Sequence, residues 1–86
     1  MAEAVTLTVL YFASARDLAG TSEEKLVFSE QVGTLRELTA HLAARHPALR
    51  GAIERMRVAR NEAFAELDER PVDGDVIALI PPVSGG

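Results

Sequence analysis

Residues 73–86 read DGDVIALIPPVSGG, from Asp73 to Gly86. Asp73-Gly74-Asp75 is a turn signal, and Val76 to Ile80 is an apolar run of strand length. Pro81-Pro82 closes it, because neither proline can donate to a sheet ladder. At period two, Ile77 and Leu79 take one face of this strand and Val76, Ala78 and Ile80 the other. Residues 81–86 are expected beyond the folded body of residues 1–80, as an extended tail reaching at most roughly 20 Å.

Working outward, Val5 to Phe12 (VTLTVLYF) is rich in β-branched and aromatic residues, with Val5, Leu7, Val9 and Tyr11 on one face. The opposite face runs Thr6, Thr8, Leu10, Phe12, which places Phe12 near the surface. Ser14 to Gly20 suits one or two helical turns, with Ser14 as N-cap and Gly20 as a left-handed stop. Lys25 to Phe28 reads as a second strand. Thr34-Leu35-Arg36-Glu37 forms a capping box that starts a helix; Leu35, Leu38 and Leu42 give it one apolar stripe, and Pro47 sets its end at His46. Arg57 to Arg60 and a stretch around Phe64, parted by Asn61-Glu62, read as a hairpin. The sum is an α+β domain: a mixed sheet of four to five strands with one main helix across one face.

At 86 residues there is room for one such domain. Alanine supplies 14 of the 41 hydrophobic residues, so Leu and Val must furnish most of the core. A net charge of −4 argues against a nucleic-acid partner. Five arginines between Arg45 and Arg60 contrast with six acids between Glu62 and Asp75, a polarity that suits either a solvated surface or a docking one. No apolar run approaches the 18 or so residues of a membrane span, and acidic Glu3 stands where a secretory signal carries basic residues, so the expectation is a cytoplasmic protein without membrane contact.

With no cysteine, thiolate metal sites and thiol nucleophiles are excluded. His41 and His46 lie five apart, about 140° around a helix, and do not form a metal pair. They read as surface or helix-end residues, and no metal site is expected. The glycines are scattered and the serines lack a nucleophile-elbow context. That leaves the end of the chain. The Gly86 carboxylate would be the reactive group delivered by a narrow Gly-Gly arm. An ordinary α-carboxyl titrates at about 3.3 to 3.7, so it is an anion at neutral pH and a poor acyl electrophile until activated. Adenylation would supply a leaving group for attack by sulfide or an amine. A frayed terminus is the other reading of the same two glycines.

The opening VLYFASARDLAG together with DGDVIALIPPVSGG resembles the small-subunit family of molybdopterin synthase, sulfur carriers of the ubiquitin-like β-grasp fold. The motifs are Phe12-Ala13 followed by Arg16-Asp17-Leu18 and Gly20, the Asp73-Gly74-Asp75 turn, and Pro81-Pro82-Val83-Ser84-Gly85-Gly86. The resemblance implies that an E1-like enzyme adenylates Gly86 with ATP and that the end is then converted to a thiocarboxylate. The tail would enter the synthase large subunit, in an expected heterotetramer, and give its sulfur to cyclic pyranopterin phosphate. It implies no bound cofactor and no catalysis by this chain alone. Phe12, Phe64 and Ile80 would form an apolar partner-binding patch, and Arg16 would pair with an acidic group on a partner. Rival expectations keep the fold but change the role: a ubiquitin-like modifier, a sulfur donor for tRNA or thiamin, or a non-covalent binding module.

Overall fold

The computed structural model describes residues 4–30 and 32–82. Val83, Ser84, Gly85 and Gly86, four of the six expected tail residues, lie outside the described residues. The elements are β1 (Val5–Tyr11), α1 (Ser14–Ala19), β2 (Glu23–Phe28), α2 (Leu35–Arg45), β3 (Arg57–Arg60), β4 (Ala63–Phe64) and β5 (Val76–Ile80). Two 3-10 turns, Pro47–Leu49 and Ile53–Arg55, fill the path from α2 to β3.

The strand order is β2-β1-β5-β3-β4. β1 and β5 run parallel at the centre and the remaining pairs are antiparallel. The expected mixed sheet is therefore five-stranded, in a ubiquitin-like β-grasp arrangement. The parallel pair explains the apolar run in β5, which is flanked by strands on both edges.

The inner face follows period two. Leu7, Val9 and Tyr11 of β1, Leu26 of β2, Val58 of β3, and Ile77 and Leu79 of β5 are buried against Leu35, Leu38 and Leu42 of α2 and Leu49 of the first 3-10 turn. Each such side chain stabilises the fold by about 1.5–3 kcal/mol through removal of apolar surface from water. The capping box forms as expected: Glu37 N–H donates to Thr34 Oγ1 at 3.3 Å and Thr34 N–H to Glu37 Oε1 at 3.1 Å. At the far end His46 is the C-cap and Pro47 opens the 3-10 turn.

Three expectations need correction or extension. Ser14 is not the N-cap of α1: Ala13 occupies that position, with no side-chain cap, because the turn out of β1 is made one residue earlier. Gly20 does end α1 in the left-handed region, at φ 78°. β2 begins at Glu23 rather than Lys25, since the polar pair Glu23 and Glu24 bonds alongside Leu10 and Val9. The hairpin of β3 and β4 forms, with Asn61 and Glu62 both at positive φ (52° and 71°), as a two-residue primed turn requires. The opposed charge clusters meet at the end of β3, where Arg60 binds both Asp75, at 2.7 Å, and Glu69, at 3.2 Å.

Candidate functional site

Opposite the helix, the outer face of the sheet is apolar along one row. Leu10 of β1 pairs with Ala78 of β5, Ala78 with Ala59 of β3, and Ala59 with Phe64 of β4. Two alanines make a low floor at the centre and larger side chains stand around it. The result is an open hollow of about 210 Å³ whose walls include Phe12, Phe64, Val76 and Ile80. Phe12 is 48% exposed and Phe64 58%, while Ile80 is half-buried between their strands. An exposed group of large apolar side chains on a small domain marks an interaction surface.

Each member has a reason for its place. Phe12 is held at the end of β1 by its N–H, which donates to Leu79 O at 3.2 Å. Phe64 lies under the guanidinium of Arg57, whose Cζ stands 3.8 Å from the ring centroid, an attraction of ring quadrupole and cation. Ile80 pairs with that same Arg57 across β3 and β5. The structure thus brings Phe12, Phe64 and Ile80 together. Arg16 is exposed on α1 and lines no part of the hollow; its guanidinium makes no ion pair among the described residues.

β5 leads directly from this face into the tail. Pro81 is half-buried and Pro82 exposed, and both border a second hollow with Ser14, Ala52, Arg55 and Met56. The start of β5 is pinned at the opposite end. Asp75, 6% exposed, accepts from Val72 N–H at 2.9 Å, Asn61 Nδ2 at 2.9 Å and Arg60 Nε at 2.7 Å. Burial alone would raise its pKa, but the bonds from Asn61, Val72 and Arg60 outweigh burial and hold the carboxyl below the usual range.

A second polar cluster, which the sequence reading missed, lies under the helix end. Glu24 faces inward from β2 and takes Tyr11 OH at 2.5 Å, Arg45 Nε at 3.0 Å and His46 Nε2 at 2.7 Å. Burial would raise the Glu24 pKa; bonds from Tyr11, His46 and Arg45 reverse that and lower it. Burial first, and then the adjacent Glu24, push the Tyr11 phenol above its ordinary value. The available signal was period two itself, which puts Glu24 on the same face as Leu26. Among the described residues no group of His, Asp or Glu could hold a metal ion, and no helix is long and apolar enough to cross a membrane.

This geometry suits presentation of the segment that follows β5. An apolar face includes a strand that feeds straight into Pro81-Pro82, and the carboxylates of buried Asp75 and half-buried Glu24 are committed to holding strands and the helix end in place. Comparison with known proteins agrees. The molybdopterin synthase sulfur carrier subunit of Chlamydomonas reinhardtii is 35% identical over 93% of this chain and 98% of its own length. Among solved structures, small archaeal modifier protein 1 of Haloferax volcanii superposes with a TM-score of 0.82 at 29% identity, over 94% of this chain and 99% of that one. Subunits 1 and 2 of the molybdopterin-converting factor of Helicobacter pylori, solved as a complex, include a chain matching at TM-score 0.66 and 29% identity, over 95% of this chain and all of that one. The ThiS family model matches residues 9–86, from the middle of β1 through the whole tail, and the chain belongs to the ThiS family, together with the sulfur carrier subunits that it matches.

Proposed function

We propose that this protein is the sulfur-carrying small subunit of a molybdopterin synthase, acting as cosubstrate while the catalytic groups belong to the large subunit. The observation that carries the reading is the near full-length match to sulfur carrier subunits, joined to an apolar sheet face at the root of a Pro-Pro-Val-Ser-Gly-Gly segment. The Gly86 carboxylate oxygen attacks the α-phosphorus of ATP on an E1-like enzyme, and pyrophosphate leaves. Sulfide then attacks the acyl carbon, AMP leaves, and a thiocarboxylate remains. Glycine has no Cβ to crowd that carbon. The large subunit receives the Phe12, Phe64 and Ile80 face while Pro81 to Gly86 extend into its active site. There the thiocarboxylate sulfur displaces a carbon-bound oxygen of the cyclic pyranopterin phosphate, which leaves on the phosphate or as water, and hydrolysis of the resulting thioester frees Gly86 as carboxylate and leaves the sulfur on the pterin. A dithiolene holds two sulfurs, so two loaded carriers are consumed, which suits a heterotetramer. ATP belongs to the activating step, Arg16 is assigned to an acidic group on a partner, and the setting is the cytoplasm.

The test is intact-mass spectrometry of the protein with its activating enzyme, ATP and a sulfur source. Exchange of one oxygen for sulfur, confined to the last peptide, is expected. Deleting Gly86, or adding a residue after it, should abolish sulfur transfer and leave thermal unfolding unchanged. Molybdopterin formed at the normal rate by either variant would overturn the mechanism. Likeness to an archaeal modifier favours a second reading, in which an amine replaces sulfide as acceptor. Higher-mass covalent adducts in the host, lost with Gly86, would decide for it.

A further inference from the structure

Between outward-facing Phe12 and fully buried Ala15 the chain turns sharply. Ala15 N–H donates to Phe12 O at 2.9 Å, closing a four-residue turn. Ala13, its second residue, has φ 48° and ψ −125°. These angles approximate the mirror image of a type II turn, about +60° and −120°, a position where glycine alone avoids a clash of Cβ with the backbone. The surroundings over-determine the bend. Phe12 N–H is tied to Leu79 O, and Arg16 N–H donates to Ala13 O at 3.0 Å. Elsewhere the chain makes its bends at positive φ with Gly20, Gly33, Gly51 and Gly74, and outside the hairpin turn Ala13 is the non-glycine exception among the described residues. Strain retained next to a functional side chain is a mark of pre-organisation.

We propose that Ala13 is a positioning residue: the surrounding hydrogen bonds impose the bend, and its methyl group keeps the backbone in a narrow well where glycine would have a broad one, which limits the directions in which Phe12 is presented to a partner's apolar pocket. This rests on the docking role given above to the outer face. Chemistry separates the two properties of alanine here. D-Alanine at position 13 adopts these angles without conflict and remains stiff, whereas glycine relieves the conflict and adds freedom.

The experiment compares wild type, Ala13→Gly, Ala13→D-Ala made by chemical ligation, and Phe12→Ala, each titrated calorimetrically against the large subunit from the same host, with melting temperatures alongside. Ala13→D-Ala should melt higher than wild type and bind equally well. Ala13→Gly should melt no lower and yet bind roughly three- to tenfold more weakly, the size expected for ordering one residue on association. Phe12→Ala should bind more weakly than either. If Ala13→Gly binds as tightly as wild type, or Ala13→D-Ala loses as much affinity as Ala13→Gly, while Phe12→Ala is weakened, the positioning role is refuted and the docking face stands. If Phe12→Ala binds like wild type, or the wild-type chain does not bind, the docking face falls and the positioning role with it.

Discussion

One residue step along β5 separates Leu79, wholly buried against α2, from Ile80, half-buried on the opposite face. Along β5 both faces are apolar, Ile77 and Leu79 on one and Val76, Ala78 and Ile80 on the other, yet only the first lies under the helix. Removal of apolar surface from water is what holds the domain together. The outer face keeps a comparable set, Leu10, Phe12, Phe64, Val76 and Ile80, in partial contact with solvent. Under the docking role proposed for it, its worth is realised on association. On that reading stability and recognition occupy opposite sides of the same strands, so substitutions should separate them.

The largest effect is expected inside. Leu79→Ala removes a side chain packed in the centre of the core and should cost about 2–5 kcal/mol of unfolding free energy, read from the denaturant midpoint. The surviving folded fraction should still bind the large subunit with near wild-type affinity. A cost below about 1 kcal/mol would mean that the inner face is not the folding face.

Next comes the mirror experiment outside. Phe64→Ala should lower unfolding free energy by less than about 1 kcal/mol, chiefly through loss of the Arg57 stack. Its affinity for the large subunit should fall by about 2 kcal/mol, or roughly thirtyfold, as truncation of an aromatic anchor does. Equal losses in stability and affinity would erase the division between the faces.

Most of this division was legible in the sequence, because period two in Val5 to Tyr11 and Val76 to Ile80 assigns each side chain to a face before any contact is known. The helix was legible for the same kind of reason, since Thr34 and Glu37 are near neighbours whose capping bonds are local. What escaped was non-local or non-polar. Glu24 meets Tyr11 across 13 residues and His46 across 22, and no short-range pattern joins them. Asp75 read as a turn residue, and its burial depends on Asn61 and Arg60 from a different strand pair. Ser14 looked like a cap because its side chain is able to cap, but Ala13 takes the bend by backbone geometry alone, which residue type does not signal. Of the site, period two set Phe12 and Ile80 outward and resemblance grouped them with Phe64, while the register of β5 with β1 and β3, and of β3 with β4, explains how they meet over two alanines.

The smallest effect sharpens the comparison from the inner side. Glu24 is a charge on the buried face, 13% exposed at its side chain, and it is kept there by Tyr11, Arg45 and His46. Its pKa is lower in the folded chain than in the unfolded one, where about 4.3 is ordinary. A depressed pKa means that the unfolded state takes up protons first as acid is added. The stabilisation is therefore complete above about pH 4.3 and fades as pH falls through the lower folded value. Glu24→Gln keeps an oxygen acceptor and removes the charge, so it should cost about 1 kcal/mol at pH 7, where charged hydrogen bonds exceed neutral ones. The gap between variant and wild type should close as pH drops below 4, with Asp75 leaving both proteins a remaining acid sensitivity. Because Glu24 lies on the covered side, affinity for the large subunit at pH 7 should not change. A variant that keeps its stability deficit in acid, or that loses binding at neutral pH, would show that the polar cluster under the helix reaches through the sheet to the outer face.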